Sequence, residues 1–174
     1  MKNNHKIMFF SSIILNIILV IVVLIGYINI NLENENIFIF QVQDKLIRLE
    51  GLIDYQEEND WEDSEIVAVK MREIVNGLEM GLMNGKNLHV LNEEESEILE
   101  SLADKLNKFT FDKPYELVNL TDEHKEYYAA LRDSLNEAGL KMNSQISKDW
   151  ETFFHQAKKL EESIDVPSDI RYSN

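Results

Sequence analysis

From Ile7 to Ile28 the chain carries no charged residue. Ile, Leu and Val dominate the run, and Ser11, Ser12, Asn16 and Gly26 are its small or polar interruptions. A helix needs about 20 apolar residues to cross a hydrocarbon core about 30 Å thick, so residues 7–28 predict one transmembrane helix. The many β-branched residues matter little there, because a helix pairs every backbone group internally where lipid offers no partner. A cleaved signal peptide has a shorter apolar core, about 7–15 residues, and a small-residue cleavage site. No alanine precedes Ala68, so the run is read as an uncleaved anchor.

Beyond the anchor the pattern becomes periodic. Ile39, Val42, Leu46, Leu49 and Ile53 recur at 3-4-3-4 spacing, a heptad seam. Extended backwards, the register passes through Leu32 and Ile28, with Glu35 as the exception, which allows the membrane helix to run on to about Glu58. The acidic stretch Glu57–Asp63 then breaks the pattern and predicts a turn. A second helix is expected from about Glu62 to Met83, with Val67, Met71, Ile74, Val75, Leu78 and Leu82 on one face. Asn84-Gly85 predicts its end, since Gly past a helix terminus readily takes the left-handed cap conformation.

A third helix is predicted to open at Asn92, which pairs with Glu95 in a capping-box pattern. Its seam is Leu99, Leu102, Leu106 and Phe109, and Thr110 to Pro114 closes it, because a residue before proline is pushed out of helical geometry. A fourth segment starts at Thr121, an N-cap type followed by Asp122 and Glu123, where negative charge suits the helix dipole. Tyr128, Leu131, Leu135, Ala138 and Met142 keep helical spacing, which slips through Ile146 and Trp150 and resumes at Phe153, Ala157, Leu160 and Ile164. Two readings stay open: one long bent helix from Thr121 to Ile164, or a break at Gly139. The expected fold is all-α: an N-terminal transmembrane helix followed by an antiparallel bundle of about four helices. The boundaries are 1–6 for a cytoplasmic N-terminus, 7–28 for the anchor, 29–165 for the bundle and 166–174 for a loose tail.

Charge sets orientation. Lys2 and Lys6 precede the span, while Glu33 and Glu35 follow it and the next basic residue is Lys45. Positive charge stays cytoplasmic, so the bundle is expected outside. Past Lys6, 15 basic residues stand against 32 acidic, a formal net charge of −17. Such a surface repels nucleic acid and anionic membranes. No cysteine is present, which removes disulfides, zinc–thiolate sites and thiol chemistry. The Asn-, Ile- and Lys-rich composition with a simple signal-anchor looks bacterial.

Candidate chemistry is sparse. The acidic run at 57–63 lacks the glycine of a calcium-binding loop and has Trp61 in its middle, so it reads as a solvated turn. Di-iron bundles need Glu-x-x-His on two helices, but Thr152 and Thr121 stand three residues before His155 and His124. Glu151 and His155, four apart, read as a surface contact. No metallopeptidase, nucleophile-elbow or phosphate-loop motif occurs. No catalytic, cofactor-binding or metal-binding residue is therefore assigned, and the chain is not expected to be an enzyme.

Contact residues are the remaining candidates. Asn16 offers an amide inside the membrane span, for a second helix or for nothing at all. Gly77, Gly81 and Gly85 recur every four residues, either as a smooth strip for a partner or as a weakened last turn ending in a cap at Gly85; the second reading is preferred. Tyr127, Tyr128, Trp150, Phe153 and Phe154 cannot all face one core; packing in the core and at its boundary is the preferred reading, and exposed binding anchors, with Trp150 and Phe154 as the candidates, are the alternative. The leading expectation is a single-pass extracytoplasmic helical protein that touches the bilayer through residues 7–28 and acts by binding a protein partner. The alternative is a small-molecule-sensing bundle that signals through a partner's membrane helix. An anchored hydrolase ranks third. The heptad seams fit self-association as well as packing within one bundle.

Overall fold

The computed structural model describes residues 2–87, 91–110, 120–143 and 149–166, with side chains for 8–29, 39 and from 42 onward within those ranges. The Leu32 side chain, residues Phe111 to Pro114, Ile146 and the tail from 167 lie outside what is described. Among the described residues the chain is helical: α1 Lys2–Glu58, α2 Glu65–Asn87, α3 Glu93–Asn107, α4 Asp122–Glu137 and α5 Trp150–Ser163. The chain divides into two units, residues 1–35 and 36–174.

Within the first unit, Met8–Asn29 has a mean hydropathy of 3.0, and none of it is buried against protein. By length and composition it can cross a membrane or serve as a signal sequence.

In the second unit the predicted seams form one core. Ile39, Val42, Leu46, Leu49 and Ile53 are buried, as is the predicted face of α2. Leu99, Leu102, Leu106 and Phe109 are completely covered, and Phe153, Ala157, Leu160 and Ile164 join them from the last segment. Successive helices alternate in direction. Glu57 of α1 meets Arg132 of α4 in an ion pair, and Glu50 holds the Met142 amide just past the turn that ends α4. Ser134 reaches the Ser163 carbonyl at 3.1 Å and Lys159 the Glu137 carbonyl, which sets α4 and α5 antiparallel. By contrast α3 and α5 pack side by side in the same direction: Trp150 Nε1 donates to Glu95 at 2.8 Å near both starts, and Ser101 Oγ to Glu161 at 2.7 Å farther along.

Local chemistry sets the ends. After α1, Asp60 and Trp61 take positive φ (54° and 59°), and the Trp61 amide returns to the Gln56 carbonyl at 2.7 Å. This six-to-one bond is the Schellman closure of a helix C-terminus. The buried Gln56 side chain accepts the Asp63 amide at 3.1 Å, so the acidic turn is stapled to the helix before it. At Gly139 (φ +83°) the Leu140 amide bonds the Leu135 carbonyl at 2.9 Å and the Gly139 amide bonds Asn136 at 3.0 Å. Leu140 and Leu135 are both buried, completing the motif's hydrophobic contact. The break at Gly139 is thus the correct one of the two readings, and the last segment is two helices.

Two expectations are corrected. Gly85 is not a cap: α2 continues to Asn87, and a Cβ at residue 85 would lie 2.7 Å from the Leu91 side chain. Close approach, not a left-handed backbone, calls for glycine there. Met142 does not continue the α4 seam; the turn at Gly139 carries it to the surface, 58% exposed.

The predicted caps at Asn92 and Thr121 form. Asn92 and Glu95 exchange both capping-box bonds at 2.9 Å. At α4 the third-position partner is His124, whose Nδ1 accepts the Thr121 amide at 3.2 Å. Burial pushes the His124 imidazole below its ordinary value, against the opposite pull of Glu123. A depressed value favours the neutral ring that can accept this bond. That contribution is therefore whole above the unfolded value of about 6.5 and is lost as pH falls through the lower folded value. Unfolding titrations at pH 7.5 and 5.0 should show His124→Gln losing less stability on acidification than the parent, because glutamine still reaches the cap and does not titrate.

Candidate functional site

The chain carries few cations, and α1 and α2 bring three of them to one place. Asp44, Lys45, Arg48 and Leu52 recur on α1 at spacings that share a face, and Ile66, Lys70, Glu73 and Ile74 do the same on α2. Between these rows lies a half-open groove of about 480 Å³, within the roughly 300–1,000 Å³ typical of small-ligand sites. Its apolar lining comes from Gly51, Leu52, Ile66, Ile74 and Met142.

Met142 is held there by two features of α1. Its amide donates to the carboxylate of the buried Glu50 at 2.8 Å. Its side chain lies across Gly51, where a Cβ would stand 3.0 Å from Met142 Cγ and 3.1 Å from Sδ. A helical glycine costs up to about 1 kcal/mol relative to alanine, and here it opens the seat of a long, adaptable side chain.

The rim is charged. Arg48 Nε pairs with Asp44 at 2.8 Å, with 68% of the Arg48 side chain exposed. Lys70 pairs with Glu73 at 2.9 Å, and both side chains remain about half exposed. Lys45 makes no ion pair among the described residues. Exposed intrahelical pairs are held weakly, because solvent and salt screen them, so both cations can be drawn to another anion at small cost. The groove is locally cationic in a chain of net charge −15.

A second surface feature lies on α2. Val69, Met80 and Met83 are 39%, 58% and 59% exposed and fall on one helical face, interrupted by Glu73 and Asn76.

The residues singled out in the sequence do not converge. Asn16 sits in the uncovered apolar helix. Gly77 is buried and Gly81 half-buried along α2. Trp150 and Phe154 stack nearly parallel, with centroids 6.5 Å apart, and both are half-buried against the core. Trp150 also holds Glu95, so it ties α5 to the cap of α3. Among the described residues no three of His, Asp and Glu are grouped to hold a metal ion. Sequence reasoning missed the groove. The one signal was the i,i+3 pair Lys45 and Arg48, basic in an acidic chain, directly beside the α1 seam. Comparison with known proteins finds no matching family model, no similar characterised protein and no similar solved structure.

Proposed function

We propose that this chain is a single-pass, membrane-anchored protein whose acidic helical bundle stands outside the cytoplasm and acts by contact with a protein partner in the cell envelope. The observation that carries the contact reading is the outer face of α2, where Val69, Met80 and Met83 stay exposed beside a completed core. Apolar side chains aligned at helical spacing on a surface suit a facing helix, and methionines repack readily against partners. The location is supported by the uncovered apolar helix Met8–Asn29 and by the lysines at positions 2 and 6 before it. No catalytic step is assigned to any residue.

The test combines topology with contact. Protease added to intact cells is expected to remove a C-terminal tag while a cytoplasmic control survives. A photo-crosslinking residue at Met80 is expected to give one discrete adduct in cells. Met83→Lys should abolish that adduct with the helical circular dichroism unchanged. A protected tag would overturn the location, and an adduct indifferent to Met83→Lys would overturn the α2 face.

A second reading, small-molecule sensing with the signal passed to a partner's membrane helix at Asn16, is favoured by the groove between α1 and α2.

A further inference from the structure

Resting on the sensing reading, we propose that the α1–α2 groove binds a small amphipathic carboxylate, its aliphatic tail on the Leu52, Ile74 and Met142 floor and its carboxylate among Lys45, Arg48 and Lys70. Shape and charge each narrow the ligand. The groove's size suits a small molecule, and its lining is apolar except at the rim. A purely polar ligand would leave that floor wet, and a purely apolar one would leave the cation cluster unused. An amphipathic cation would meet Lys45, which has no carboxylate partner among the described residues, and two cations whose own partners lie on the same helix. The lining sets three cations, Lys45, Arg48 and Lys70, against the two carboxylates Asp44 and Glu73, and this excess of one positive charge favours an amphipathic anion.

The groove is also built for occupancy. Arg48 points a largely exposed guanidinium past Asp44, with donors beyond the one Asp44 uses. A carboxylate can therefore join the Arg48–Asp44 pair without displacing it, and Lys70 offers the same from the facing helix. Met142 is fixed through its backbone by Glu50 while its side chain stays unbranched and more than half exposed. A thioether on a fixed stem adapts to tails of different lengths. Ligand contact at this residue would bear on the segment after α4, so the groove couples α1, α2 and the α4–α5 connection.

The experiment uses the full chain in nanodiscs of zwitterionic lipid with methionine methyl groups carbon-13 labelled, titrated with octanoate. The Met142 methyl resonance is expected to shift and saturate, while those of Met80 and Met83, which lie outside the groove, stay in place. Octylammonium, with the same number of carbon atoms, should leave Met142 unmoved. Lys45→Gln combined with Arg48→Gln should weaken octanoate about tenfold through the lost charge contacts; both side chains lie on the rim, and an unchanged spectrum elsewhere establishes that the fold is kept. A saturable response to octylammonium or octanol but not to octanoate would overturn the carboxylate assignment and leave a small-molecule site standing. No saturable response to any of the three would overturn the inference together with the sensing reading. Equal movement of all three methionines would overturn it as surface adsorption.

Discussion

Phe153→Ala is expected to destabilise the bundle by about 3–5 kcal/mol, the range for truncating a fully buried phenylalanine. Phe153 has no exposed surface and stands where α5 meets the rest of the core, with the Trp150 ring 5.6 Å away at a tilt of 51°. The substitution removes the ring's transfer energy and leaves a hole that close-packed neighbours refill only in part. Relaxation here is hindered on one side, because Trp150 is tethered to Glu95 and so to the capping box of α3. Against a total stability of about 5–15 kcal/mol for an ordinary domain, the loss is a large share. Urea unfolding followed by tryptophan fluorescence checks it. Phe154→Ala, one residue on and half-buried, is the internal comparison and should cost clearly less. Equal effects would mean that α5 is seated differently from what its seam indicates.

That comparison bears on how far the fold was legible in the chain. Helix faces were readable because periodicity reports burial directly: Val42, Leu46, Leu102 and Leu106 recur at helical spacing, and each is completely covered. Caps were readable where a side chain does the capping, as Asn92 and Thr121 do. Gly139 stayed ambiguous because a glycine within a continuing seam is compatible with a tolerated weak point or with a left-handed stop. The positive φ at Gly139, with the Leu140 amide closing on the Leu135 carbonyl, decides for the stop. Gly85 misled for the mirror reason, since its glycine answers to Leu91 packing across it, a contact that no local rule anticipates.

The groove was harder still to see. Its walls are 44–52 and 66–74, which pairing across the Asn59–Ser64 turn could have suggested, but its floor needs Met142 from a distant part of the chain. Met142 reaches it only because the backbone leaves the α4 seam at Gly139. The same event that spoiled the seam prediction therefore completes the candidate site. Side-chain periodicity identifies what is buried within an element, and concavity arises between elements, so a reading of faces alone finds cores before it finds grooves. Buried polar residues mark the same limit. Gln43 is completely covered on the α1 core face, where its Nε2 donates to Gln156 at 2.7 Å and Gln156 in turn donates to the Gly139 carbonyl at 3.2 Å. These bonds tie α1 to α5 and to the turn that delivers Met142.

The second large effect concerns the N-terminal helix. Ile18→Arg together with Val22→Arg is expected to move most of the protein out of the membrane fraction, whereas either change alone should leave most of it inserted. Met8–Asn29 contains fifteen Ile, Leu, Val and Phe residues, each worth about −0.3 to −0.6 kcal/mol on insertion, while an arginine near the centre costs about 2.5–3.5 kcal/mol. The apolar residues thus contribute about −5 to −9 kcal/mol, less what Asn16 and the serines take back. One arginine leaves the balance favourable. Two cost about 5–7 kcal/mol and also remove two of the favourable residues, which brings it near zero. Positions 18 and 22 fall on one helical face, so both charges would have to reach the same side of the bilayer core. Alkaline carbonate extraction, with the protein found in pellet or supernatant, reads the outcome. The same pair separates an anchor from a helix held by protein contacts. An anchor loses its hold only when the summed hydropathy is exhausted, whereas a protein-held helix would respond to one arginine on the contacted face as strongly as to two.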